Sequence, residues 1–439
     1  MKKLYLMFLL PVLFASAVTA ATKISNAVTG DWSSGASWVG GVPPGSGDDV
    51  NIVDGAVITA DGVQSALTIT IGGGTSGKLI VSSSTAILST FGTISVLGGA
   101  TLQVDDGILN IGNANGHRLD YRTGSIITIN GGTVNLASRM TSANDYGIIY
   151  TQTGGTFNVN TVENSSTGFA SFDIRNADNS TFNMSGGAIV LQNAGDGGSG
   201  PRDYNNNAVI KNITGGTVQV GNALSVLAQT YFLQGVTPNL LITNNILGHT
   251  ARLLNNLSVT LGATINSGST LALDDGSGNG FLFDLKGATL VNNGTLDGTV
   301  TGSSLDFFGT APQVYSGSGT VTAPLANMAV DFGGGVTLNP SLPVDFTVAG
   351  LGMFFGNIIT GPSTLVIGTS PTNAGTLNYS FGTIIGKIKR WIPTSTGATL
   401  FPVGIVGTTR PASINFTAAP TTGGTLTAEW ISVGGGSNG

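Results

Sequence analysis

Apolar and polar residues alternate along most of this chain in short runs separated by glycine, asparagine and aspartate. Alternation with period two marks a strand with one buried face, and the Thr, Val, Ile and Phe that fill these runs suit a pleated surface. Between Ser125 and Gly221 a Gly-Gly pair joins the runs, as in Thr128-Ile129-Asn130-Gly131-Gly132-Thr133-Val134-Asn135-Leu136. The pair returns at Gly154-Gly155, Gly186-Gly187 and Gly215-Gly216, with an earlier relative at Gly98-Gly99. A phrase that recurs at intervals of roughly 20–35 residues, with variable insertions, indicates stacked repeats. Glycine supplies the positive φ of a sharp corner without a Cβ penalty. The pattern predicts strand, corner and strand, repeated into a parallel β-helix. Asn-Gly is also a strong hairpin signal, so antiparallel sandwiches are the alternative, although their turns would recur about every 8 to 12 residues.

The same texture runs on either side of this zone. Short strands are expected at Leu67–Ile71, Lys78–Val81, Thr93–Val96 and Ile108–Ile111, and later at Val336–Leu338 and Thr364–Ile367. A variant phrase begins at Gly262 and again at Gly287. Residues 57–385 are assigned to the repeats. With the segment before them they make about 14 coils, and at ~4.8 Å per coil a rod on the order of 65–70 Å long. Residues 22–56 form an N-terminal cap, in which Trp32 and Trp38 precede Pro43-Pro44. An uncapped solenoid exposes core and edge, so the two rings are expected to cover the open end. A second reading makes them a platform for sugar stacking. Residues 386–439 read as a small antiparallel β-module.

Met1-Lys2-Lys3, the apolar run Leu4–Phe14 and the small residues around Ala20 have the form of a secretory signal peptide, assigned to residues 1–21. No other run is long and apolar enough to span a bilayer, so the mature chain is expected outside the cell or at its surface. The 439 residues include 68 Gly, no Cys and only 9% charged residues. The absence of Cys excludes disulfides, thiolate metal sites and a Cys nucleophile. A net charge of -6, thinly spread, lacks the electrostatic footprint of nucleic-acid binding.

Two stretches carry a resemblance. Gly30-Asp31-Trp32, Trp38, Gly40-Gly41-Val42-Pro43-Pro44 and Asp49-Val50-Asn51-Ile52 are similar to the opening of the β-helical region in large secreted and cell-surface proteins of Bacteroidota. Lys387-Ile388-Lys389-Arg390, Phe401-Pro402-Val403-Gly404, Arg410-Pro411 and Gly423-Gly424-Thr425-Leu426-Thr427-Ala428 resemble the small β-module that follows it. The resemblance implies a β-helix exported by the type IX system and continued into a C-terminal sorting domain. Here Gly434-Gly435-Gly436-Ser437-Asn438-Gly439 closes the chain, so a truncated module is expected. No activity comes with the resemblance.

Candidate chemistry is sparse. β-helical lyases and hydrolases need carboxylates beside an Arg or Lys on one strand face. The nearest approach is Asn115-Gly116-His117-Arg118-Leu119-Asp120-Tyr121-Arg122, where Arg118 or Arg122 would bind an acidic sugar and His117 or Asp120 would move a proton. The alternative is a polar loop whose charges pair with one another. Asp274 and Asp275, in a glycine-rich turn, could offer oxygen ligands to Ca²⁺, although Asp-Gly turn chemistry explains them without a metal. The polar stretch Asp196–Asn207 reads as a projecting loop in which Arg202, Asp203 and Tyr204 are candidate ligand contacts. The expectation is a secreted, adhesin-like structural β-helix without catalysis, meeting polysaccharide or cell-surface and matrix components. The alternatives are a polysaccharide-active β-helix and a non-catalytic carbohydrate-binding protein.

Overall fold

The computed structural model describes residues 21–431 apart from 143, 145, 166–167, 178, 196–199, 201, 227 and 245–247. The expected signal peptide, except Ala21, lies outside the described residues, as do the first part of the Asp196–Asn207 loop and the glycine-rich tail. The described chain is all-β, with one short 3-10 turn at Gly35–Ser37. Thirty-seven strands belong to one continuous system wound as a solenoid, parallel in all but its last strand, and its first flank carries fifteen strands, from Thr22–Ile24 to Thr376–Tyr379. Strands pair with their equivalents one coil on, as in Thr101–Val104 with Ile126–Ile129 and Ile108–Ile111 with Thr133–Leu136. The coils are unequal: the step from Asp49 to Thr68 is short, and that from Met140 to Phe172 is long. Parallel pairing throughout the coils decides against the sandwich.

Alternation in sequence becomes alternation across the sheet. Ile69, Ile71, Leu79, Val81, Leu88 and Ile94 point inward and are fully buried, while their neighbours face out. In the middle coils aromatics replace aliphatics in the interior. Tyr150 stacks on Phe182 at 5.6 Å and Phe172 on Tyr204 at 5.5 Å, with Tyr150 edge-on to Phe172 at 5.3 Å. The buried hydroxyls find acceptors: Tyr121 donates to the Asp173 carbonyl at 2.8 Å and Tyr204 to that of Val236 at 2.8 Å. A buried hydroxyl without a partner would cost about 1–3 kcal/mol.

The Gly-Gly pairs are corners stacked on one another. Gly132, Gly155 and Gly187 have φ of 65°, 65° and 74°, and a Cβ on Gly155 would lie 2.5 Å from the carbonyl oxygen of Gly131 one coil below. Gly98-Gly99, read from sequence as a member of this series, occupies a different corner, between Ile94–Val96 and Thr101–Val104, and stacks under Gly124. The interval from Gly98 to Gly131 therefore spans more than one coil, and Asp106-Gly107 is the pair beneath Gly132.

Both ends carry added packing, although the terminal strands Thr22–Ile24 and Thr376–Tyr379 pair with one strand each. Trp32 and Trp38 meet edge to face at 5.1 Å, each 1% exposed, with the Trp38 indole N–H donating to the Trp32 carbonyl at 2.7 Å. The coil has already begun there, because Thr22–Ile24 and Thr29–Asp31 pair in parallel with Asp49–Asn51 and Val57–Thr59. At the other end Ile384–Ile392 is both the last rung and the first strand of the terminal module: Gly424–Ala428 lies antiparallel on it. Phe401 and Val403 are buried against the core, and the Ile384 amide donates to the Pro402 carbonyl at 2.8 Å.

Candidate functional site

On the first flank the outward positions of successive rungs line up in a column: Thr70, Ser95, Asp120, Thr141, Asp173, Asn205 and Gln234. Outward residues are normally wet, yet Asp120, Thr141, Asp173 and Asn205 are each at most 3% exposed. The loops between flanks fold over them. Asn164 in one such loop accepts from the Arg139 guanidinium at 3.4 Å, and Phe169 lies under Arg175, 4.5 Å from ring centre to guanidinium.

Covered carboxylates need partners: Asp120 finds arginines on its own rung, although its Oδ1 accepts no hydrogen bond among the described residues, and Asp173 finds partners in the column as well. Asp120 pairs with Arg122 at 3.1 Å and with Arg118 at 3.8 Å. Asp173 accepts from Thr141 at 3.0 Å, from the Arg175 Nε at 2.9 Å and from the Asn205 amide at 2.7 Å. Burial still outweighs these donors and holds the Asp173 carboxyl above its ordinary range. Burial also lowers Arg139, helped by Arg118, and lowers Lys211. Beside the column a groove of about 740 Å³ opens, lined by Arg175, Asn176, Asn205, Asn207 and Lys211. It offers cations and amides to an extended ligand. The ring of Tyr204, behind it, belongs to the core.

The residues nominated from sequence fall as follows. Asp120 and Arg122 come together as an ion pair, with Arg122 also over the Tyr146 ring at 5.4 Å. His117 belongs to the turn before this strand, where its Nδ1 accepts from the Asn113 amide at 3.3 Å. Trp32 and Trp38 present no open ring face to a sugar, since packing against each other buries both. Arg202, Asp203 and Tyr204 were expected on a projecting loop, but they lead directly into the strand Tyr204–Asn206. Asp203 is buried and accepts from the amides of Gly195 at 2.6 Å and Phe232 at 2.8 Å, Tyr204 fills the core, and Arg202 covers the Phe232 ring at 4.1 Å. Asp274 pairs with Arg252 and accepts from the Gly276 amide at 2.6 Å, while Asp275 accepts from Ser277 at 2.7 Å and from the Asn279 side chain at 2.7 Å. Their oxygens close a turn. Among the described residues no group of three or more His, Asp or Glu is placed to hold a metal ion. His249 is buried edge-on to Tyr231 at 5.4 Å, and burial lowers its pKa.

Sequence reasoning missed Arg139, Asp173, Arg175, Asn205 and Lys211. A signal was available: five of the eight arginines in the chain lie between residues 118 and 202. No family model matches the chain, and comparison with curated proteins and with solved structures likewise finds no match.

Proposed function

We propose that this is a secreted, surface-displayed β-solenoid that acts as a structural stalk with adhesin-like contacts along its first flank and carries no catalysis. The observation that supports this reading above the others is how the flank uses its carboxylates. Asp120 is held by arginines, and Asp173 by three donors, beneath covering loops. A general acid or base must direct an oxygen at substrate within about 2.6–3.2 Å, whereas Asp120 is turned to the arginines of its own rung and Asp173 to Arg175 and to the rungs on either side. The leader-like sequence of residues 1–21 supports export. The similarity of the opening and closing stretches to Bacteroidota surface proteins supports type IX export and display on the outer membrane.

The test is product release by the purified mature chain from neutral and acidic polysaccharides, with Ca²⁺ and with chelator, run beside a binding assay on cell surfaces and matrix. Retention without new reducing or unsaturated ends is expected. Calcium-dependent cleavage lost in Arg122→Ala would replace the stalk with a polysaccharide-cleaving enzyme. The groove beside Arg175 and Lys211 favours a second reading, non-catalytic carbohydrate binding. Under that reading Arg175→Ala and Lys211→Ala would each abolish retention on acidic polysaccharide.

A further inference from the structure

Further along the rod the outward columns of the first flank change size. One runs Ser258, Asp284, Asp306, Ala329, Gly352 and Asn378, and its neighbour runs Ser304, Asn327, Gly350 and Thr376. Polar side chains stand at both ends, while Ala329, Gly350 and Gly352 leave the middle bare, so the sheet surface dips. The dip is a cleft of about 350 Å³, within the ~300–1,000 Å³ typical of small-ligand sites. Gly352 also makes room for an aromatic ring. A Cβ at 352 would lie 2.7 Å from the Phe354 ring, which therefore lies down over bare backbone and stays 37% exposed. Along the adjoining corner Phe308, Phe332, Phe355 and Phe381 stand one per coil, all exposed, with Phe308 and Phe332 at 5.3 Å and Phe355 and Phe381 at 5.5 Å.

We propose that this cleft binds a neutral saccharide, with Phe354 as the platform for a pyranose face and Asp306, Asn327 and Asn378 as partners for its hydroxyls. A sugar ring joins an apolar C–H face to a rim of hydroxyls, and the cleft offers an aromatic face ringed by amide, hydroxyl and carboxylate groups. Charge selects against acidic sugars. Asp306 carries the only charge among the lining residues, and Asp284 and Asp331 stand close enough to push its carboxyl further up. Among the described residues no cation lines the cleft, so an apolar surface docking here would bury Asp306 unpaired, which is costly. The proposal is independent of the adhesive reading of the arginine-lined groove.

The experiment is titration of the mature chain, by calorimetry and saturation-transfer NMR, with neutral gluco-, manno-, galacto- and N-acetylglucosamine oligosaccharides, and with oligogalacturonate as the acidic control. At least one neutral series is expected to bind. Phe354→Ala is expected to weaken it about tenfold, as loss of a stacking face should, with Asn378→Ala weaker too and Arg175→Ala unchanged. Phe354 is partly exposed, so its truncation leaves the coil intact, and circular dichroism checks this. No binding by any neutral series, preference for the acidic one, or wild-type affinity in both Phe354→Ala and Asn378→Ala would each overturn the proposal. So would self-association, abolished by Phe355→Ser with Phe381→Ser, in the absence of sugar binding.

Discussion

Replacing Gly155 by alanine, with Gly116→Ala as the matched control, separates what stacking demands of a corner glycine from what backbone conformation demands. Both residues sit in the left-handed region, at φ of 65° and 83°, so both substitutions carry the conformational penalty of roughly 1–2 kcal/mol. They differ in what the new methyl meets. At 155 it would lie 2.5 Å from the oxygen and 2.6 Å from the carbon of the Gly131 carbonyl, whereas at 116 nothing stands within 4 Å. Relieving that overlap requires the two coils to separate or shift, an overpacking cost of about 1–3 kcal/mol. Because a solenoid opens locally rather than all at once, the assay is native-state hydrogen exchange resolved to the rungs Thr133–Leu136 and Thr156–Val159. Exchange there should be about 5- to 150-fold faster in Gly155→Ala than in Gly116→Ala. Equal protection in the two variants would refute the idea that coil-to-coil contact fixes the Gly-Gly pairs.

Three further outcomes are expected. Burial, with Asp284 and Asp331 nearby, holds the Asp306 pKa above its ordinary 3.8. The folded state then binds that proton more tightly than the unfolded chain, and stability falls as pH rises from about 3.8 through the raised value. Asp306→Asn should therefore melt above wild type at pH 7 and level with it below pH ~3, and a wild type that is the more stable at pH 7 would contradict the sign. Trp38→Ala removes a fully buried ring and the N–H that caps the Trp32 carbonyl. Its cost should be about 3–5 kcal/mol, read as early proteolysis confined to the first coils. Asn135 donates to Asn110 at 2.9 Å and accepts from Asn158 at 2.8 Å. Asn135→Ala should cost about 1–3 kcal/mol, two neutral hydrogen bonds, measured by denaturant titration.

The strands and corners were legible because their causes are local. Period-two alternation at Thr68–Ile71 or Thr133–Leu136 specifies which side chains go in. The glycines at 131 and 132 announce a corner whatever lies beneath. What stacks on what was not legible, since coils of unequal length erase the phase. Asp120, Thr141, Asp173 and Asn205 share a column although the step from Asp120 to Thr141 is much shorter than the two that follow. The same loss of phase disguised Gly98-Gly99, which reads like the later pairs and turns a different corner. Arg202, Asp203 and Tyr204 were misplaced for another reason: a polar run followed by asparagines looks like loop, and only the pairing of Tyr204–Asn206 with Phe172–Ile174 and Leu233–Gly235 makes it a rung. Phe354 carries no signal of its own, because its meaning depends on Gly352 and on Ala329 one coil away.

The parallel rungs have a mechanical consequence. Hydrogen bonds between successive coils run along the axis of the rod, so a pull on its two ends loads them end-on and opens them a coil at a time rather than shearing many together. A coil of roughly 20–30 residues that peels away releases roughly 65–100 Å of chain at about 3.3 Å per residue, against the ~4.8 Å it occupied in the stack. Stretched, the molecule lengthens in large, discrete increments and dissipates energy at each one.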